Sequence, residues 1–252
     1  LNTQNIQTKQ FTWSTDLTFS TYNDRWKERD PNWKPAAYQK EQDPIRGVFA
    51  YVANGLLQPG EEAPAHQPQL LPGQVKLKNI NGDDKLDEED MVLIGRNDPK
   101  FIFGFNNNFS YKNFDLNIYM YGQVGKIAGA NSYYDAWGSY GNRIKLGQNV
   151  PISFKDAWSS DNQTSTRPSF IESSYGTGDL FLQKISFLRI RNITLGYTVP
   201  ISKKICNRLR VYADVNNPCV WTNWKGQDPE TDSNTNAYPN VTSFSIGVDI
   251  SF

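Results

Sequence analysis

The segment NINGDDKLDEED, residues 79–90, carries side-chain oxygens at a spacing that suits calcium. In the twelve-residue calcium loop, ligands at places 1, 3, 5, 7, 9 and 12 converge on the ion. Those places are held here by Asn79, Asn81, Asp83, the backbone carbonyl of Lys85, Asp87 and Asp90. Asn at the first place, Asp84 instead of the turn glycine and Asp at the last place depart from the pattern. The competing interpretation is an acidic turn whose side chains bond its own backbone.

Aromatic residues in two long connections are the other candidate ligand contacts. They are Tyr133, Tyr134, Trp137 and Tyr140 in one connection, and Trp221 and Trp224 in the other. Flat aromatic rings pack against sugar faces, so these residues could contact a glycan. Loop packing or an aromatic girdle at a membrane surface explains the same residues, and we favour that interpretation.

Catalytic chemistry has little support. His66 is the only histidine and lies in a Pro-rich stretch, and there is no phosphate-binding glycine loop, CxxC or HExxH. A glycoside hydrolase would need two carboxylates on facing strands, but Asp and Glu lie mainly in loops. We therefore expect no enzyme, no catalytic residue and no required cofactor, with calcium in the 79–90 loop as the one ion predicted.

Alternating apolar and polar residues predict the elements that position these side chains. The alternation is typical of strands and recurs in six segments. They are FTWSTDLTFST, KFIFGFNNNFSY, FDLNIYMYGQ, RNITLGYTVP, RLRVYADVN and the C-terminal VTSFSIGVDISF. The sequence therefore predicts an all-β fold of about six antiparallel strands, with no helix.

Strand length and loop length both indicate a membrane barrel. The predicted strands approach ten residues, the length that crosses a bilayer at a tilt, and their ends carry aromatic residues. The connections between them alternate long, short, long, short, long, so every long loop lies at one end. Transmembrane barrels show this asymmetry, whereas a soluble sandwich has no reason to.

Composition argues against an ordinary hydrophobic core and against nucleic-acid binding. The chain is 38% hydrophobic and 13% aromatic, and its mean hydropathy is −0.63. With 26 basic and 26 acidic residues, no net field attracts a polyanion.

Two pairs of residues test this topology. Arg189 and Arg191 share strand parity with apolar Ile193, so we expect them near the rim, in ion pairs, rather than at lipid depth. Cys206 and Cys219 flank the fifth predicted strand, which is too long for a disulfide to join its ends.

The C-terminal strand suits the closing position of a barrel, where every backbone group must be paired. Six strands are too few for a complete barrel, since single-chain examples begin at about eight. We therefore expect neighbouring strands from another part of the polypeptide, and a chain that is not stable by itself in a membrane.

Five blocks, in order, resemble the C-terminal part of the SusC/RagA-like TonB-dependent outer-membrane transporters. They are GQVKLKNINGDDKLDEEDMVLIG, DPKFIFGFNNNFSYKNFDLNIYMYGQVG, FLRIRNITLGYTVP, LRVYADVNNPCVWTNWKGQDPE and YPNVTSFSIGVDISF, and they cover most of residues 73–252. Several ordered motifs with matching separations are more specific than any single motif.

This resemblance implies that residues 1–252 are the C-terminal segment of a barrel of about 22 strands, with the plug domain and earlier strands outside the chain. It implies import of oligosaccharides or peptides across the outer membrane of a Gram-negative bacterium. The implied partners are the rest of the barrel, a SusD-like lipoprotein, outer-membrane lipid and TonB, which contacts the absent N-terminal part. The alternative is a secreted soluble β-sandwich that binds carbohydrate and uses the calcium loop.

Overall fold

A seven-stranded antiparallel sheet dominates the computed structural model, which describes residues 1–128, 146–150, 152–170, 173–201, 206–231 and 237–252. Its strands, in spatial and chain order, are β1 (Asn2–Gln7), β2 (Phe11–Ser20), β7 (Phe101–Tyr111), β8 (Phe114–Ala128), β9 (Gln183–Val199), β10 (Arg208–Thr222) and β11 (Ser243–Ser251). β1 and β11 are the two edges of this open sheet. The predicted all-β antiparallel fold is confirmed.

Two small sheets and two 3-10 turns lie in the connections. β3 (Gly47–Ala50) pairs with β6 (Val92–Arg96), and β4 (Ala53–Leu56) pairs with β5 (Val75–Leu77). The 3-10 turns cover Glu88–Asp90 and Ile152–Asp156. No helix in the described part of the chain is long and apolar enough to cross a membrane.

The sequence prediction missed β1 and made three strands too short. β1 carries no alternation, because Ile6 is the one apolar residue of its sequence NTQNIQ. A bulge between Gln4 and Ile6 also shifts its register with β2. β8, β9 and β10 extend beyond their alternating cores to 15, 17 and 15 residues. Bulges break the period within these extensions, so alternation alone could not find them.

The predicted asymmetry of the connections is confirmed. Residues 8–10, 112–113 and 200–207 make the short connections at one end of the sheet, and residues 21–100, 129–182 and 223–242 make the long ones at the other. In the shortest, Lys112 has a left-handed backbone with φ of 53°, a conformation common in two-residue hairpins.

One face of the sheet is apolar and open; we call it the apolar face. The register aligns Ile246 with Ala213, then Leu195 and Leu116, so apolar side chains form rows across the strands. The β11 members are well exposed, and Ile246 reaches 84%. A soluble sandwich would cover such rows with a second sheet, but no element among the residues that the structure describes covers them.

Asn107 is an exception on the apolar face, where it pairs in register with Ile118 and Thr15. Its Oδ1 accepts hydrogen bonds from Trp13 Nε1 at 3.2 Å and Thr15 Oγ1 at 2.8 Å. Polar groups on a lipid-facing surface require such internal partners, so these bonds keep the carbonyl oxygen of Asn107 satisfied.

Buried apolar residues concentrate among the long connections rather than between two layers. One cluster joins Leu56, Val75, Leu77 and Trp158, and another joins Ala128, Ile185, Phe187 and Trp224. The long connections are therefore packed bodies with cores of their own, fixed to the ends of the strands.

Candidate functional site

The opposite face of the sheet, which we call the polar face, is a continuous hydrogen-bonded surface. Asn117 Nδ2 donates to Asn106 Oδ1 and Asn108 Oδ1, both at 2.7 Å, and so links β8 to β7. Two strands further on, Asp214 accepts from Thr194 Oγ1 at 2.7 Å and from Asn192. Amides and carboxylates linked in this way form a wall that can face water or a polar solute.

A charged group lies on the polar face near the short connections. Arg210 of β10 binds Asp115 of β8 through Nε at 2.9 Å and Nη2 at 2.5 Å, and Asp249 of β11 through Nη1 at 3.0 Å. Asp115 lies across β9 from Arg210, and the side chains pass directly over Gly196, where a Cβ would come within 2.4 Å of Arg210 Nη2. The absent side chain of Gly196 therefore makes room for the ion pair.

Arg189 is buried on the polar face, which corrects the parity argument made from sequence. Asn192 and Ile190 of β9 pair with consecutive residues of β8, Tyr119 and Met120, so Arg191 is a bulge. Such a bulge shifts the face occupied by the residues on one side of it relative to those on the other. Arg189 therefore aligns with Tyr121 and Val220. The expected ion pairing is present, but in a buried position.

Arg189 fastens the connection between β10 and β11 to the sheet. Its Nη2 donates to both oxygens of Asp228 at 2.8 and 2.9 Å, and its Nε lies 3.2 Å from Glu230. Asp228 also accepts the N–H groups of Glu230 at 2.9 Å and Asn240 at 3.0 Å. We call Arg189, Asp228, Glu230 and Asn240 the loop clamp.

The two acids of the loop clamp have pKa values shifted in opposite directions. Burial favours the neutral form of Asp228, but the N–H groups of Glu230 and Asn240 and the Arg189 guanidinium outweigh it and lower the pKa of Asp228. Burial raises the pKa of Glu230, against a smaller opposing effect from its hydrogen bond with Asn240.

The loop at residues 79–90 folds as a series of Asx turns. Asn79 Oδ1 accepts from Gly82 N–H at 2.5 Å, Asn81 Oδ1 from Asp83 N–H at 3.0 Å, and Asp83 Oδ1 from Lys85 N–H at 2.8 Å. The Asn79 amide nitrogen donates to the carbonyls of Asp83 and Lys85. These bonds account for the loop conformation without an ion, as the competing interpretation expects.

Asp87 and Asp90 close the same loop. Asp87 Oδ1 accepts from Glu89 N–H at 2.9 Å, and fully buried Asp90 accepts from Ile80 N–H at 2.6 Å and Asp87 N–H at 3.1 Å. Within the described residues, no group of three or more His, Cys, Asp or Glu side chains is arranged to hold a metal. The calcium site therefore stays a prediction.

The structure separates the two candidate tryptophans. Trp221 is 53% exposed at the end of β10. It belongs to a row of register partners that runs across the sheet through Leu188 and Gly122 to Phe103. It therefore lies on the apolar face, as a girdle residue would. Trp224 is buried against Ile185. Tyr133, Tyr134, Trp137 and Tyr140 lie outside the described residues.

The remaining sequence candidates have structural contacts. The His66 ring Nε2 lies 2.9 Å from the carbonyl oxygen of Leu77, which fixes the ring against β5. Cys206 and Cys219 are both free, as the predicted topology requires.

A cleft in the connection between β2 and β7 was not found from the sequence. It is about 480 Å³ and lies between residues 26–45 and the β3–β6 sheet. Its lining includes Trp26, Arg29, Trp33, Tyr38, Asp43 and Phe49, and we call it the aromatic cleft. The spacing of Trp26, Arg29 and Trp33 in WKERDPNW was the available signal, but it matches no recognised motif.

Comparisons with known proteins agree with this architecture. No family model matches the chain. Over its whole length it is 26% identical to "TonB-dependent receptor P3" and 24% identical to "TonB-dependent receptor P26", both of Formosa agariphila, and spans 28% of each. Over 68% of its length it is 28% identical to "TonB-dependent receptor SusC" of Bacteroides thetaiotaomicron, of which it spans 17%. These relatives are named as receptors, not as enzymes.

Solved structures show the same fold. The whole chain superposes on 28% of a chain in "Structure of the RagAB peptide transporter" with a TM-score of 0.77 at 20% identity. It also superposes on the RagAB peptide importer in its "closed-closed" and "open-open" states, with TM-scores of 0.70 and 0.69. The two-faced sheet with long connections at one end therefore has the fold of part of the chain in those structures.

Proposed function

We propose that the chain is a segment of a SusC/RagA-like TonB-dependent transporter and that it forms the C-terminal wall of an outer-membrane importer of oligosaccharides or peptides. One observation supports this most directly: a single sheet carries an exposed apolar face and a hydrogen-bonded polar face. The apolar face suits lipid, and the polar face suits a water-filled lumen or a plug domain. The remaining strands, the plug and the segment that contacts TonB belong to the rest of the polypeptide.

The long connections mark the extracellular end in this proposal. Outer-membrane barrels have short periplasmic turns and longer outer loops, so the turn at Lys112-Asn113 faces the periplasm. The 79–90 loop, the loop clamp and the aromatic cleft then face the outside. A SusD-like lipoprotein would cover this end and deliver the substrate.

Substrate uptake tests this function. Cells lacking the gene for the full-length transporter should lose uptake of a labelled oligosaccharide or peptide mixture, and the intact gene should restore it. Restoration should fail in a strain without TonB. Uptake that persists without the transporter, or without TonB, would contradict the proposal. The mixture that is lost tells glycan import from peptide import.

The lipoprotein partner is tested separately. The full-length transporter purified from outer membranes in mild detergent should bring down a SusD-like lipoprotein in equal amount. Purification of the transporter alone, under conditions that preserve uptake, would count against this partner.

We also propose that Asn79, Asn81, Asp83, Lys85 (through its carbonyl), Asp87 and Asp90 bind Ca²⁺. The donor set consists of the oxygens that calcium prefers, although the Asn79 amide would have to turn so that its oxygen faces the ion. Calcium titration of the full-length protein by calorimetry should show one binding site. The double variant Asp83→Asn, Asp87→Asn should bind calcium at least tenfold more weakly at this site. An unchanged heat in this variant would assign these residues to the turn alone.

A further inference from the structure

The aromatic cleft has an arginine held between two indole rings. The Cζ atom of Arg29 lies 3.7 Å from the ring centroid of Trp33 and 4.8 Å from that of Trp26. Stacking of this kind uses the flat faces of the guanidinium. The N–H donors at its edge are left for other partners.

No protein group in the described part of the chain takes those donors. Arg29 Nε is buried and has no hydrogen-bond partner, and the ion pairs of the described residues do not include Arg29. A buried donor without an acceptor costs free energy, so native proteins rarely leave one. Because Nε is closed to solvent, a ligand acceptor would be taken by the two terminal nitrogens of Arg29, which make no hydrogen bond within the described residues.

The walls of the cleft are fixed before any ligand binds. Arg96 of β6 donates to the Tyr22 carbonyl at 3.2 Å and to Asp24 at 2.8 Å, which holds the segment where it leaves β2. Arg25 donates to the Gln42 carbonyl at 2.6 Å and ties the segment to itself. The rings of Tyr38 and Phe49 pack 4.9 Å apart. A largely preformed pocket of this kind is typical of ligand sites.

We propose that the aromatic cleft binds a carboxylate-bearing ligand, with the carboxylate on Arg29 and an adjoining flat apolar surface against Trp33 and Trp26. The guanidinium edge matches a carboxylate in two parallel hydrogen bonds, and the indole faces suit sugar C–H groups or an aromatic ring. The carboxylate can come from a uronic acid of an oligosaccharide or from the C-terminus of a peptide. That this ligand is transported rests on the proposed import function.

Calorimetry on the full-length transporter in detergent tests the proposal with two matched pairs of probes. One pair is trigalacturonate and its methyl ester, and the other is the pentapeptide GSFSG and its C-terminal amide. One acidic probe should bind at least tenfold more tightly than its neutral counterpart, and the pair that shows this identifies the source of the carboxylate.

Variants assign that preference to the cleft. Arg29→Gln should weaken the acidic probe tenfold to a hundredfold and abolish the preference, because it removes a charge-assisted pair of hydrogen bonds. Arg29→Lys should restore only part of the affinity, since lysine lacks the planar edge. Trp33→Ala should weaken both members of the preferred pair. Lys34→Gln, which removes a neighbouring charge outside the cleft lining, should behave as wild type.

Three results would each overturn the proposal: equal binding of acidic and neutral probes, wild-type binding by Arg29→Gln, or no binding of either acidic probe. Resistance of each unheated variant to SDS shows that the barrel is folded. Uptake is measured in the same strains. If one of these three results occurs while TonB-dependent uptake is normal, the cleft proposal is rejected and the proposed import function is not.

Discussion

Arg189 shows how a single side chain holds a long connection on the sheet. Only 3% of its side chain is exposed, and it contacts Asp228 and Glu230, which lie far away in sequence. Removing one partner of such a buried pair leaves an uncompensated charge. Its neighbour Arg191 is 44% exposed, lies 3.9 Å from Glu230 and donates to Asn240 at 3.3 Å. The two arginines therefore compare a buried clamp contact with an exposed one.

Arg189→Met should release the connection between β10 and β11. We expect the local stability of this loop to fall by about 3–5 kcal/mol, because Asp228 loses its buried counter-charge. Limited proteolysis of the full-length protein should then cut within residues 223–242. Arg191→Met should change loop stability by no more than about 1 kcal/mol. Equal cutting of both variants would show that the clamp is not what orders the loop.

Acidification should also loosen the connection between β10 and β11, because Asp228 loses its charge as the pH falls. Its pKa is lowered in the folded protein, so its contribution is complete above the ordinary Asp value of about 3.9 and is lost as the pH falls below it. Hydrogen exchange of peptides from residues 223–231, corrected for intrinsic pH dependence, should accelerate only below about pH 4. In the Asp228→Asn variant, the same peptides should exchange rapidly at every pH.

Glu230→Gln provides the control for this acid step. Burial raises the pKa of Glu230, so the folded state favours its neutral form. Protonation of Glu230 as the pH falls therefore does not destabilise the loop. The Gln variant should keep the acid step near its wild-type position. An acid step that disappears in this variant would assign the effect to the wrong carboxylate.

Successive residues of each strand point to opposite faces of the sheet, and β11 shows this clearly. Ile246 aligns with Ala213 on the apolar face, whereas Ser245 aligns with Asp214 on the polar face. Adjacent positions of one strand therefore face lipid and lumen in the proposed orientation.

Arginine at these two positions should have opposite consequences. Ile246→Arg should destabilise the full-length barrel by about 2–4 kcal/mol, the cost of a cation on the lipid face near mid-depth. Ser245→Arg places the same charge beside Asp214 and should be tolerated. Urea unfolding in lipid vesicles measures both. A larger loss for Ser245→Arg would reverse the assignment of the faces.

Gly196 of β9 has no side chain, and this leaves space for the Arg210–Asp115 ion pair that lies over it. Gly196→Ala should cost about 1–3 kcal/mol through overpacking, since a Cβ would lie 2.5 Å from Arg210 Nε and 2.5 Å from Asp115 Oδ1. In an Arg210→Ala background the same change should cost little, because the crowded group is gone. Urea unfolding of the two single variants and the double variant gives the coupling, and additive losses would exclude this explanation.

The molecule as a whole is an open sheet whose edges, β1 and β11, have no strand beyond them in the described chain. Its apolar burial lies among the long connections, so within the described residues no second layer covers the sheet. Unpaired backbone groups at the edges would each cost several kcal/mol in lipid. In the proposed barrel, the stability of the sheet comes from the neighbouring strands and from the bilayer.

Residues 1–252 expressed alone should fail to form the stable sheet that they form in the full-length protein. The fragment should aggregate in plain buffer and should show no SDS-resistant band after refolding into detergent, whereas the full-length transporter should show one. A fragment that stays monomeric and folded without detergent would exclude the membrane-barrel assignment.

The sequence by itself determined the strand type, the two faces and the end at which the long connections lie. These properties are local: alternation of the kind seen in VTSFSIGVDISF and the spacing between such segments depend only on neighbouring residues. It also specified the Asx-rich loop at residues 79–90, since its side chains bond backbone groups only a few residues away.

Only the tertiary structure decided what depends on pairing between distant strands. The bulge at Arg191 appears when β8 is laid beside β9, and it moves Arg189 from the expected apolar face to a buried site under Asp228. Likewise, Trp26, Arg29 and Trp33 become a cleft only when Phe49 of β3 and Met91 form its far wall. Register and loop packing are set by contacts over long separations, which alternation along one strand does not encode.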